Sequence, residues 1–237
     1  MIEVIDKLAG VHTMALNTMH TDILVQRPAD QPGAPHEPAE LLLLCHGVGS
    51  SAEDLRPLGQ ALAAKRPGAW VVSLRAPQPA DMSPGWQWFS VRGVTEQNRA
   101  ERVAAALPAF QVSIQAWQRE AGATPAQTTV IGFSQGAIMA LASTQAEGPT
   151  LAGRVIAIAG RLPQPAQRAL PGVAIHLLHG EQDRVMPVAL AIDALQQLQA
   201  LGVPITLERF EGLGHGIDGR VLSAIVAHLA ASSATVI

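Results

Sequence analysis

Residues 128–148 read TTVIGFSQGAIMALASTQAEG, and their reading decides the fold. Thr128 to Phe133 is an apolar run rich in β-branched residues, and an apolar helical pattern follows at once. Between the two stands Gly132-Phe133-Ser134-Gln135-Gly136, the G-x-S-x-G pattern of a sharp strand–turn–helix elbow. A serine raised on so tight a turn leaves no room for side chains two residues before and after it, so glycine is needed at both places. The spacing predicts a buried strand, Ser134 on the turn and a helix closed by Gly148. An ordinary turn serine is the plainer reading of the same five residues.

Outward from the elbow, strand and helix patterns alternate. Leu41 to Cys45 is a continuous apolar run, as expected of a parallel strand covered on both faces. Ala52 to Lys65 then has helical spacing (Leu55, Leu58, Leu62), with Ser51 as its candidate cap. Trp70 to Leu74 is the next strand. Residues 76–93 form a Pro- and Gly-containing excursion, read as a substrate-side loop. A long helical region starts near Thr95 and runs towards Gly122, and Pro108 is expected to kink or split it. Beyond the elbow, strands are predicted at Arg154–Ala159, Ala174–Leu178 and Ile205–Phe210. Helices are predicted at Pro187–Leu201, with proline at or near its first position, and at Arg220–Ala231. Residues 161–172 read as a proline-containing loop or short helix. Near the start, His12–Leu16 and Ile23–Gln26 suggest a hairpin, and the Pro-rich residues 27–40 an exposed loop. The pattern predicts one α/β domain over residues 1–237, with a mostly parallel central sheet.

Composition narrows the function. The chain has 237 residues, nearly half of them apolar, and a net charge of −3 without a block of like charges. No basic footprint for nucleic acid or a membrane surface is present, and the apolar runs are too short to span a bilayer. The N-terminal segment lacks the pattern of a signal peptide. The lone Cys45 permits no internal disulfide and reads as a small core residue, so the expected location is the cytoplasm. Oligomeric state is not encoded legibly.

In parallel sheets, ligand sites gather beyond the carboxyl ends of the strands. Residues 46–51, 132–136, 179–187 and 211–218 all follow predicted strands. A serine hydroxyl needs an adjacent base, and that base needs a carboxylate to fix its tautomer. His215, in a glycine-flanked loop, is the candidate base. Among the other histidines, His46 and His179 sit in strand-end His-Gly pairs that suit loop bracing. Asp183 is the candidate carboxylate, with Glu181 two residues earlier as its rival. The order Ser134, Asp183, His215 matches the chain order of α/β-hydrolases. For the oxyanion of acyl transfer, the expected donors are the backbone N–H groups of Gln135 and Val48. Three of the eight Phe and Trp residues cluster at Trp86, Trp88 and Phe89. They suit either acyl-group contact or anchoring of the long loop.

Taken in order, His46-Gly47-Val48-Gly49, Gln87-Trp88-Phe89, GFSQG, His179-Gly180-x-x-Asp183 and Gly214-His215 resemble the phospholipase/carboxylesterase family. That family includes the acyl-protein thioesterases and small bacterial carboxylesterases. The similarity runs over roughly residues 40–230, and the Gln-Trp-Phe-Ser segment looks closest to the bacterial esterases. The resemblance implies an α/β-hydrolase fold with helices on both faces and no large cap domain. It also implies a serine hydrolase of small to medium acyl esters or thioesters that needs no metal and no cofactor. Ser134, Asp183 and His215 match the family triad, Val48 and Gln135 its oxyanion positions, and Trp88 its pocket tryptophan. Acyl-protein thioesterases usually read H-G-L-G-D and W-F-D, whereas Ser50 and Ser90 stand here, so an acylated-protein substrate is not implied. A peptidase or lactonase on the same scaffold, and a non-catalytic binding protein, are the alternatives.

Overall fold

A computed structural model describes residues 21–28 and 39–231. In chain order the strands are β1 (Ile23–Gln26), β2 (Glu40–Cys45), β3 (Ala69–Leu74), the short β4 (Gln78–Pro79) and β5 (Trp86–Gln87), then β6 (Thr128–Phe133), β7 (Arg154–Ile158), β8 (Ala174–Gly180) and β9 (Ile205–Phe210). The α-helices are α1 (Arg56–Lys65), α2 (Glu96–Ala121), α3 (Gln135–Ser143), α4 (Ala189–Ala200) and α5 (Gly219–Ala230). Seven strands form one sheet in the order β1-β3-β2-β6-β7-β8-β9. Every pairing in it is parallel except β1 with β3.

Side-chain alternation along β2 shows how the layers form. Leu41, Leu43 and Cys45 join one cluster, packed with Phe110 and Ile114 of α2, Met139 and Leu141 of α3, and Leu198 of α4. Leu42 and Leu44 join the other, with Leu62 of α1 and Val221, Ile225 and Leu229 of α5. Leu41 to Cys45, five of the six β2 residues, are sealed from solvent, which is why the strand reads as unbroken hydrophobe. Losing one such leucine side chain costs about 2–5 kcal/mol. Helices therefore cover both faces, and the sheet's carboxyl edge is left to the loops. Among the described residues no helix is long and apolar enough to cross a membrane.

Several details differ from the sequence expectations. α1 is preceded by a 3₁₀ turn, Glu53–Leu55, and Ser51 does not cap it by accepting. Instead the Asp54 carboxylate accepts from the Ser51 N–H and from the Ser50 and Ser51 hydroxyls. Pro108 does not split α2, which runs unbroken over 26 residues. Val103 and Phe110 bury themselves on either side of Pro108, so core packing outweighs one lost N–H. A Thr95–Asn98 capping box opens that helix, and left-handed Gly122 (φ 66°) closes it.

α3 ends at Ser143, well before Gly148, and α4 starts two residues after Pro187. Residues 161–172 contain no helix. The 76–93 excursion carries the β4–β5 ribbon. β1 pairs with β3 at the sheet edge; His12–Leu16, the other arm of the expected hairpin, lies outside the described residues, as does most of the Pro-rich loop.

Candidate active site

Ser134 joins β6 to α3 at φ 52° and ψ −114°, one of two non-glycine residues at positive φ among those described. Such a conformation costs about 1–3 kcal/mol and persists only where the surroundings impose it. The surroundings here are close backbones. A Cβ on Gly132 would lie 2.5 Å from the Gly136 carbonyl, and one on Gly136 would overlap the Cys45 carbonyl. The Ser134 N–H donates to Ile158 O at 2.9 Å, and its own carbonyl accepts from Ile138 N–H at 3.0 Å. The elbow is thus wedged between the ends of β2 and β7.

Asp183 and His215 arrive from the two loops beyond β8 and β9. Bare Gly180 lets the second loop cross, since a Cβ there would strike the carbonyls of Leu213 and Gly214. Asp218 caps α5 through the N–H groups of Arg220 and Val221 and fixes the loop's far end. His215 Nδ1 then lies 2.7 Å from Asp183 Oδ2, and its Nε2 lies 3.0 Å from Ser134 Oγ. Phe133 packs its ring 5.0 Å from the imidazole. A carboxylate can only accept, so Nδ1 carries the proton and Nε2 is free to accept from the serine hydroxyl.

The carboxylate is itself held firmly. Asp183 Oδ1 accepts from the N–H groups of Val185 (2.9 Å) and Met186 (2.8 Å). Burial pushes its pKa up, but the Met186 N–H, His215 and the Val185 N–H outweigh it, and the carboxyl stays below its ordinary value. His179 donates from Nε2 to Met186 O at 2.6 Å and lies 3.4 Å from Asp183 Oδ2. It braces the loop, and burial holds its pKa below the usual histidine value. Glu181 is drawn towards Arg209, 3.7 Å away on β9.

The 46–51 loop lies against the serine, since a Cβ on Gly47 would sit 3.2 Å from Ser134 Cβ. His46 is sealed inside and braces this loop: its Nδ1 donates to Gly47 O at 2.7 Å while Nε2 accepts from Ala76 N–H at 3.0 Å. Gln135 is the first residue of α3, where N–H groups have no partner inside the helix. Cys45 is buried in the core, and burial pushes its thiol up. Among the described residues, no three His, Cys, Asp or Glu side chains gather in a way that could hold a metal ion.

The aromatic trio divides. Trp88 and Phe89 are buried in the core at 2% and 4% exposure, and Trp88 meets Phe110 edge-on at 5.2 Å. Both pack into the core cluster beneath the loop. Trp86 stays partly exposed, with the Arg75 guanidinium 3.7 Å over its ring. The sequence assigns a role to the Gln135 N–H and none to its side chain, which the structure shows bonded at both ends. Its Oε1 accepts from Trp88 N–H and its Nε2 donates to Phe89 O, both at 2.7 Å. The one sequence signal was a glutamine at a buried helix start, a residue rarely buried unless its amide is paired.

A sheet of this topology, with a serine elbow and a facing histidine–aspartate pair beyond its carboxyl edge, defines the α/β-hydrolase class. Residues 31–233 match the model of the phospholipase/carboxylesterase family. The chain is 43% identical over 210 residues to the esterase YpfH of Escherichia coli (strain K12), spanning 89% of this chain and 88% of that one. Among solved structures it is similar to the esterase PE8, with a TM-score of 0.72 and 30% identity over 82% of this chain and 96% of that one. The Bacillus cereus carboxylesterase shares the fold, with a TM-score of 0.71 at 17% identity over 90% and 97% of the two chains. The chain belongs to the phospholipase/carboxylesterase family, and that membership makes it a carboxylic ester hydrolase.

Proposed function

We propose that the protein hydrolyses small to medium acyl esters or thioesters through an acyl-enzyme on Ser134. The observation that carries this reading is the unbroken hydrogen-bond chain from Asp183 through His215 to Ser134 Oγ. His215 Nε2 takes the hydroxyl proton as Oγ attacks the carbonyl carbon, and Asp183 stabilises the imidazolium. The N–H groups of Val48 and Gln135 receive the oxyanion. Collapse breaks the bond to the leaving oxygen or sulfur, which takes the proton from His215 and departs as alcohol or thiol. Water then attacks the acyl-enzyme with His215 again as base, and the carboxylic acid leaves with Ser134 Oγ reprotonated.

Trp86, the ring of the trio with exposed surface, is the one we assign to substrate contact. The assigned substrate class is the small to medium acyl ester or thioester, and the cytoplasm is the assigned location. A fluorophosphonate should label Ser134, and Ser134→Ala should lose both label and turnover. Appreciable esterase activity in that variant would sink the reading.

A further inference from the structure

Val48 is assigned an oxyanion N–H, yet nothing in Val48 aims it. The residue is 38% exposed, and it sits between Gly47 and Gly49, the latter at φ 75°. In a trans peptide, C=O and N–H point opposite ways, so whatever holds the Gly47 carbonyl aims the Val48 N–H. That carbonyl accepts from His46 Nδ1 at 2.7 Å and from Ser50 N–H at 3.3 Å. The carbonyl of His46 in turn accepts from Trp88 Nε1 at 2.9 Å. Trp88 is itself fixed by its backbone, through the two 2.7 Å bonds between Gln135 and the Trp88–Phe89 segment. Gly49 N–H donates to Trp86 O (2.9 Å) and Trp86 N–H to Ser50 O (2.8 Å), tying the two loops a second time.

Resting on the serine-esterase reading above, we infer that the Gln135 side chain is a positioning group that aims the Val48 N–H through Trp88 and His46. One residue thereby supplies one oxyanion donor with its backbone and orients the other with its amide. The job requires an acceptor and a donor on one planar group, facing an N–H and a C=O on successive residues. Glutamate lacks the donor, and asparagine is one methylene short.

A mis-aimed donor weakens the transition state and leaves ground-state binding almost alone. Gln135→Met and Trp88→Phe, the latter keeping an aromatic ring while removing Nε1–H, should each lower kcat about 10- to 100-fold, less than the roughly 10²- to 10³-fold of a donor lost outright, because the N–H is mis-aimed and not removed. KM should stay within about two-fold. The loss should be equal for esters from acetyl to octanoyl, and affinity for a boronic acid, which forms a tetrahedral adduct on serine, should fall in step with kcat. Because both changes cut one path, the double variant should be no slower than the slower single. The inference is overturned if folded Gln135→Met keeps full kcat, if the two losses multiply, or if the loss depends on acyl length. Circular dichroism and Tm establish that each variant is folded. If Ser134→Ala is dead while the Gln135 and Trp88 variants are fully active, only the positioning role falls; if Ser134→Ala turns over, the serine reading falls with it.

Discussion

Two histidine–carboxylate pairs in this molecule have nearly the same bond and different surroundings. His215 lies 2.7 Å from Asp183, and His228 lies 2.6 Å from Glu208. The Asp183 side chain is wholly buried and the Glu208 side chain 44% exposed. His215 turns its second nitrogen to a serine on a strained turn, whereas His228 stacks on His176 with ring centroids 3.8 Å apart. An open groove of about 640 Å³ lies at Glu208, lined also by Asp218, Arg220 and Ser223, and none of the Ser134 group borders it. Neither a short bond nor a concavity marks the pair we propose as reactive. A desolvated carboxylate fixed by backbone N–H groups, with a third residue waiting on the imidazole, does.

The largest way to break this contrast is to neutralise each carboxylate in turn. Asp183→Asn should lower kcat on the order of 10³- to 10⁴-fold. An asparagine amide facing His215 would favour the proton on Nε2, and Ser134 would then lose its acceptor. Glu208→Gln, at the other pair, should leave kcat/KM within about two-fold, since Glu208 bonds His228 and none of the Ser134 group. Steady-state kinetics on one soluble ester checks both. Equal losses would erase the distinction between the pairs.

The next effect concerns the elbow against the groove. At Gly136 an added methyl has nowhere to go but into the Cys45 carbonyl, whereas at Gly219 it meets nothing within 4 Å. Gly136→Ala should cost about 1–3 kcal/mol or more and lower Tm by roughly 3–10 °C. The strain falls on the end of β2, so kcat should drop as well. Gly219→Ala should change stability by no more than about 0.5 kcal/mol. A Gly136→Ala protein with unchanged Tm and kcat would mean the elbow is far less tightly wedged than its backbone contacts imply.

What was legible in the sequence follows the same division. Steric need writes itself into residue type, so Gly132 and Gly136 announced the elbow, and unbroken apolar runs announced buried strands. Strand ends confine where a site can be, so Asp183 and His215, each just beyond a strand, stand out in the string. Partners that are backbone groups leave no such mark. The bonds from Gln135 to Trp88 N–H and Phe89 O could not be read from a one-dimensional string. Nor could the aspartates behind the two serines that depart from the thioesterase pattern: Ser50 donates to Asp54 and Ser90 to Asp81. Each carboxylate is retained one side chain further away, and those hydrogen bonds hold Asp54 and Asp81 below their ordinary pKa. Pro108 misled because a local propensity gave way to the packing of Val103 and Phe110 on either side of it.

The smallest effect sharpens the comparison from the stacked pair's side. Burial, then the nearby charges of His228 and Arg154, lowers the His176 pKa to about 4. A histidine depressed in the folded state contributes stability that is present above its unfolded value near 6.5 and is lost as pH falls through about 4. Asp22, between Trp117 Nε1 and Arg75 N–H, has the opposite sign: burial raises it to about 6, so its contribution is present below 3.8 and lost as pH rises through 6. The wild-type profile therefore contains opposed titrations, and the difference from His176→Gln isolates one. Because glutamine does not titrate, the Tm of the variant relative to wild type should rise as pH falls from 7 to 4, with kcat/KM at pH 7 unchanged. A Tm difference that stays constant over that range would remove the proton linkage from His176. A loss of activity at pH 7 would couple the stacked pair to a site from which it is otherwise separate.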